Sequence, residues 1–149
     1  ILDTGGGLKA ALPLLGSGPI LLLNTDAVWT GANPLAELLA AWDGEKMDTL
    51  LLLLPAAQAR GHQGPGDFLL APDGRISRAN GATAPVYLGA QIMRSDAVSA
   101  ITEPVFSLNL VWNMLIAKGR AYGTLHRGGW CDVGHPAGIA EAEAMLADV

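Results

Sequence analysis

The sequence predicts one α/β domain built on a mostly parallel, mixed sheet flanked by helices, and three observations carry that expectation. Two uninterrupted apolar runs, at 20–23 and 50–54, are bounded by turn signals and have the length of strands covered on both faces. Patterns of helical period separate such runs, as in a chain that alternates strands with helices. A Pro72-Asp73-Gly74 turn between short apolar segments adds a hairpin and makes the sheet mixed.

In chain order, Gly5-Gly6-Gly7 reads as a loop feeding a short helix, which Pro13 or the Gly16-Ser17-Gly18-Pro19 turn stops. The strand at 20–23 ends in Asn24-Thr25-Asp26, at the sheet end where ligands bind in such folds. Asn33 is an N-cap and Pro34 a first helical residue, followed by an apolar face of Leu35, Leu38, Leu39 and Trp42. A second buried strand covers 47–54, and a Gly/Pro-rich loop covers 55–66. Segments 68–70 and 76–78 form the hairpin, 86–90 another strand, and 108–117 a helix with Leu110, Val111, Met114 and Leu115 available to the core. A strand at 121–126 precedes Gly128-Gly129-Trp130-Cys131-Asp132-Val133-Gly134, and Pro136 opens a last helix facing inward with Ile139, Ala142 and Leu146.

The chain has 149 residues, the size of one domain. Half of them are hydrophobic and 15% charged, so part of the surface expects a partner. A net charge of -5 without any Lys/Arg cluster argues against nucleic acid. The apolar runs are far shorter than the roughly 20 residues of a membrane span, which argues against a membrane partner. Cys131 is the single cysteine and makes no internal disulfide, so the cytoplasm is the expected compartment. His62, His126 and His135 lack the paired spacing of a zinc site and are expected to be structural or exposed.

Asp26 places a carboxylate at the mouth of the sheet, where burial is costly unless the group is paired or coordinated. It either invites a cation or caps the Asn24-Thr25-Asp26 turn. Asp132 lies two residues after Trp130, so an extended backbone puts both on one face and Cys131 on the other. Taken alone, that segment reads as an ordinary strand end. Taken together, two separated acids at strand ends are what a Mg²⁺ site completed by substrate phosphates needs.

Leu2-Asp3-Thr4-Gly5-Gly6-Gly7-Leu8, Asn24-Thr25-Asp26, Gly64-Pro65-Gly66-Asp67-Phe68 and Trp130-Cys131-Asp132-Val133-Gly134 occur in an order and spacing that resemble the sugar-phosphate nucleotidyltransferase family. Within it the chain is most similar to N-acetylmuramate-1-phosphate uridylyltransferases, with mannose-1-phosphate guanylyltransferases as the alternative. The resemblance implies a Rossmann-like nucleotidyltransferase fold, a nucleoside triphosphate and a sugar 1-phosphate as substrates, and Mg²⁺ as cofactor. It implies that Asp26 and Asp132 hold the metal, that Gly5 and Gly6 approach the nucleotide, and that Asn24 and Asp67 contact the sugar. From the residues alone, Gly5-Gly6-Gly7 is also a flexible turn and Asp67 a turn cap, while Lys9 is a surface lysine or a phosphate contact.

The family's opening strand and its glycine-rich loop with Arg and Lys have no counterpart here, so residues 1–149 are expected to be the carboxyl-terminal portion of one such domain. The missing segment, or self-association, is expected to cover exposed strand edges. Asp3, Thr25 and His135 also depart from the family's usual glutamate, glycine and threonine. The missing segment and Thr25 motivate a second reading, an inactive nucleotide-sugar-binding module, and the acid at a strand end a third, a glycosyltransferase of related fold.

Overall fold

The computed structural model describes residues 1–148. Helix α1 (Asp3–Leu15) is followed by β1 (Pro19–Leu23), β2 (Ala27–Thr30), α2 (Pro34–Ala41) and β3 (Thr49–Pro55). A 3-10 turn at Ala56–Gln58 leads to β4 (Ala59–Arg60), the hairpin of β5 (Phe68–Leu70) and β6 (Ile76–Arg78), the long β7 (Pro85–Arg94) and α3 (Ser95–Ser99). Then come α4 (Leu108–Ala117), β8 (Ala121–Leu125), β9 (Gly129–Asp132) and α5 (Pro136–Ala147).

The main sheet has the order β1-β7-β3-β8, and a smaller one the order β2-β9-β4. In the main sheet β7 is antiparallel to both β1 and β3, while β3 is parallel to β8. Three of its four strands therefore share a direction, and the sheet is mixed as expected. Thr49 through Leu54 are all buried, which is why the run at 50–54 is apolar without alternation. Leu51 and Leu53 join Phe68, Ile76, Val111 and Trp112 on one side of the sheet. Leu50, Leu52 and Leu54 join Leu38, Leu88 and Trp130 on the other. Each fully buried leucine is worth roughly 1.5–3 kcal/mol, so β3 anchors both cores.

β1 differs from expectation. Ile20 is buried, but Leu21 and Leu23 are 43% and 46% exposed, so this edge strand is covered on one face only. Leu14 and Leu15 are exposed close by, giving the fold the apolar surface that its composition suggests. No described helix is long and apolar enough to cross a membrane.

Gly5-Gly6-Gly7 is not a loop. It forms the first turns of α1, which runs through Pro13 and ends at Gly16. The amides of Gly5 and Gly6, which have no partner within a first helical turn, both donate to the Phe106 carbonyl at 2.9 and 3.0 Å. A Cβ at Gly5 would come within 2.4 Å of the Phe106 ring, and one at Gly6 within 2.4 Å of the Pro104 carbonyl oxygen. Close packing thus offsets a helix penalty of about 1 kcal/mol per glycine.

The Asn33 cap is as predicted, its Oδ1 accepting from the amides of Leu35 and Ala36. Leu38 is buried under it, but Leu39 is exposed and Glu37 is buried instead. In α4, Val111 and Leu115 enter the core as expected, while Trp112 replaces Leu110 there. In α5, Ala142 and Met145 face inward with Cys131, and Ile139 and Leu146 face out. These helices begin where capping residues say, but the buried stripe is set by what each helix lies against.

Candidate active site

Where β1 ends, the amide of Asn24 donates to the Gly89 carbonyl of β7 at 2.8 Å. β7 bends at Gly89, whose φ of 79° suits glycine, and a Cβ there would lie 2.8 Å from the Asn24 side chain. The chain then turns through Thr25 and Asp26 into β2, which pairs antiparallel with β9 so that Ala27 faces Asp132. One step on, the Val133 amide donates to the Asp26 carbonyl at 2.9 Å. Two acids far apart in sequence are thereby fixed side by side through backbone hydrogen bonds.

Their carboxylates meet around Gly134. The position that a Gly134 Cβ would take lies 3.1 Å from Asp132 Oδ1 and 3.2 Å from Asp26 Oδ2. The glycine keeps that space open. Asp132 Oδ1 accepts from the Gly134 amide at 2.8 Å, and no other side-chain hydrogen bond engages either acid among the described residues.

Asp67 is held by its backbone, which bonds the Pro85 carbonyl and the Ala79 amide, and by Oδ2, which accepts from the Tyr87 amide at 2.8 Å. It braces the start of β7 and also reaches the site. Asn24, Asp26, Asp67 and Asp132 line one cavity of about 140 Å³, together with Trp130 and His62. Trp130 and Asp132 share the cavity face of β9 and Cys131 is buried behind it, as the two-residue period requires. Four of the six residues singled out by sequence are thus brought together. Gly5 and Gly6 do not line this cavity, and Lys9 is turned to the carbonyls of Ile101 and Thr102.

The residues suit a magnesium ion. Three carboxylates line the cavity without a lysine or arginine among the lining residues, and Arg78 interacts with Asp67 from outside it. One oxygen of each of Asp26 and Asp132 faces the Gly134 Cα, where no side chain stands between them. No group of three or more His, Cys, Asp or Glu residues forms a metal cage among the described residues. A metal on two carboxylates would need water and phosphate oxygens to complete its shell.

Sequence reasoning missed the support of the loop at 61–66. His135 is the N-cap of α5: its Nδ1 accepts from the Gly138 amide at 3.2 Å and its Nε2 donates to the Gly61 carbonyl at 2.8 Å. Glu141 Oε2 accepts from the Gly61 amide at 2.7 Å. Both backbone groups of Gly61 are therefore tied to α5, and the loop is fixed against the strand that carries Asp132. The departure at His135 fills a capping role that a threonine hydroxyl also fills. Its signal was the His-Pro pair that opens α5.

A second acidic centre sits between α2 and the β8–β9 connection. Glu37 Oε2 meets His126 Nδ1 at 2.5 Å, and Glu37 Oε1 accepts from Arg127 Nε and the Arg127 amide at 2.9 and 3.2 Å. Burial pushes the Glu37 carboxyl up, but the hydrogen bonds from Arg127 and His126 outweigh it and leave it below the usual glutamate range. Trp29 packs edge-on against His126 at 5.2 Å.

Comparison with known proteins agrees with this architecture. No family model matches the chain. It is 39% identical, over 99% of its length, to an N-acetylmuramate alpha-1-phosphate uridylyltransferase of Caulobacter vibrioides. It is 33% identical over 97% of its length to the protein of the same name from Neisseria meningitidis serogroup B. In both cases the chain spans 62% of the relative's own length. By structure, HddC from Yersinia pseudotuberculosis, solved in complex with GMP-PN, superposes with a TM-score of 0.70 at 16% identity, covering 97% of this chain and 63% of that one. A Bacillus anthracis structure described as a glucose-1-phosphate thymidylyltransferase in complex with a sucrose gives 0.73 at 15% identity, covering 99% and 62%.

The chain has the nucleotide-diphospho-sugar transferase fold of these solved structures. By sequence it is similar to the two uridylyltransferases along nearly its whole length, which amounts to 62% of theirs.

Proposed function

We propose that this protein is a cytoplasmic, magnesium-dependent sugar-1-phosphate nucleotidyltransferase, acting on uridine triphosphate and N-acetylmuramate 1-phosphate and releasing pyrophosphate. The observation that carries the reading is the pair of carboxylates, Asp26 and Asp132, opposed across the side-chain-free Gly134. The names of the two relatives point to the nucleotide and the sugar.

In this reading Asp26 and Asp132 hold the metal. When bound, the ion supplies positive charge to the phosphates of both substrates and lowers the cost of bringing two anions together. Asn24 and the free oxygen of Asp67 orient sugar hydroxyls, with Tyr87 and Pro85 holding Asp67 in place. The phosphate oxygen of the sugar then attacks the α-phosphorus in line as pyrophosphate leaves. Gly5 and Gly6 donate their amides to the Phe106 carbonyl and lie outside this cavity. Because the chain spans 62% of its relatives' length, the groups that grip the triphosphate are assigned to the rest of the domain.

The test is pyrophosphate release by the whole protein across pairs of nucleoside triphosphates and sugar 1-phosphates. Uridine triphosphate with N-acetylmuramate 1-phosphate is expected to turn over fastest. Faster turnover of guanosine triphosphate with mannose 1-phosphate would replace the substrates and keep the reaction. Binding of a nucleotide sugar without pyrophosphate release from any pair would favour the inactive module.

A further inference from the structure

We infer that His62 is a substrate-contacting residue whose imidazole hydrogen-bonds an anionic oxygen of the sugar substrate in the Asp26/Asp132 cavity. This rests on the nucleotidyltransferase reading and adds a residue to it.

His62 lines the cavity, and its Nε2 is shielded from solvent without a hydrogen-bond partner. Among the described residues only His126 Nε2 shares that condition. The comparison separates the histidines: His135 uses both ring nitrogens to cap α5 and hold Gly61, and His126 uses Nδ1 to bind Glu37. His62 has no such structural duty. A buried nitrogen left unpaired costs free energy, so the unliganded arrangement is one hydrogen bond short.

The chemistry of the cavity says what the partner is. Asp26, Asp67 and Asp132 are acceptors when ionised and repel a phosphate or carboxylate. No lysine or arginine is among the lining residues, and the Trp130 Nε1 donor is already given to the Leu88 carbonyl at 3.1 Å. Among the described residues that leaves the Asn24 side-chain amide and the His62 ring as lining side-chain nitrogens without a partner. His62 is also preorganised: the neighbouring Gly61 is tied at both backbone groups, and its missing Cβ would lie 2.5 Å from the Asp132 carbonyl oxygen. On the other side, the Cβ that Gly64 lacks would sit 3.5 Å from Nε2, so residue 64 adds no side chain over that nitrogen. The residue as a whole is half-buried.

The anionic oxygen belongs either to the 1-phosphate or to a carboxylate borne by an acidic sugar. Calorimetric titration of the whole protein, without nucleotide, with N-acetylmuramate 1-phosphate and N-acetylglucosamine 1-phosphate distinguishes the two. His62→Phe, which keeps the volume and removes the nitrogens, is expected to weaken binding about tenfold or more. His62→Gln is expected to recover part of it. Loss with both sugars assigns the phosphate, and loss with the muramate alone assigns the carboxylate. In steady state KM for the sugar phosphate rises, while kcat and KM for the triphosphate change less than about threefold. Unchanged affinity of folded His62→Phe for both sugars overturns the inference; if that variant does not fold, unchanged affinity of His62→Ala does so. A wild-type protein that binds neither sugar overturns the nucleotidyltransferase reading and this inference together.

Discussion

The Asp26/Asp132 cavity and the Glu37 cluster are both built from acids beside β9, yet they are opposites in how those acids are satisfied. Glu37 receives three hydrogen bonds from His126 and Arg127 and holds α2 to the β8–β9 connection. Asp26 and Asp132 receive one side-chain hydrogen bond between them and face each other across Gly134. A carboxylate whose partners are all internal stabilises the fold. Carboxylates gathered without partners keep their oxygens for something that binds, and the fold bears the repulsion.

The comparison breaks most readily through activity. Asp26→Asn or Asp132→Asn in the whole protein should lower kcat by ~100-fold or more, equivalent to roughly 3 kcal/mol of transition-state stabilisation. Thermal melting of the same variants should show stability kept or raised, because a repulsive pair has been relieved. Glu37→Gln should do the reverse: a loss of roughly 2–3 kcal/mol of stability on melting, with kcat at permissive temperature within about twofold of wild type. Either pattern found at the other site would erase the distinction.

Smaller effects sharpen it. Gly134→Ala puts a methyl group between the two carboxylates, so the concentration of Mg²⁺ giving half-maximal activity should rise about tenfold with little change in melting. Glu37 also sets a pH dependence. Its folded carboxyl lies below the range of an unfolded glutamate, so its contribution is complete above that range and is lost as pH falls through the folded value. Wild type should therefore lose more stability on acidification below about pH 5 than Glu37→Gln does, as read from melting temperature against pH.

What the sequence made legible follows from how local each signal is. Asn33-Pro34 announces its helix because capping is decided within three residues. The 50–54 run announces a buried strand because both its faces are covered. Asp26 and Asp132 were readable as acids at strand ends, and the antiparallel pairing of β2 with β9 supplied the contact that sequence could not. The glycines of α1 misled because helix propensity is local, whereas Phe106 and Pro104, which demand those glycines, lie about a hundred residues away. Glu37 fell outside the apolar face read for its helix, because His126 and Arg127, which bury it, lie about ninety residues away. Ile139 and Leu146 looked like the inner stripe of α5, but the approach of α5 to β9 selects Ala142 and Met145. His62 carried no spacing signal, since its meaning comes from a cavity assembled by four separate stretches of chain.

The central claim is that Asp26 and Asp132 together hold the divalent ion. The most direct test is Mn²⁺ binding by the whole protein in the presence of uridine triphosphate and sugar 1-phosphate, followed by electron paramagnetic resonance in wild type, Asp26→Asn, Asp132→Asn and Glu37→Gln. The account predicts affinity weakened about tenfold or more in each aspartate variant and unchanged in Glu37→Gln. Equal Mn²⁺ affinity in all four proteins would contradict it.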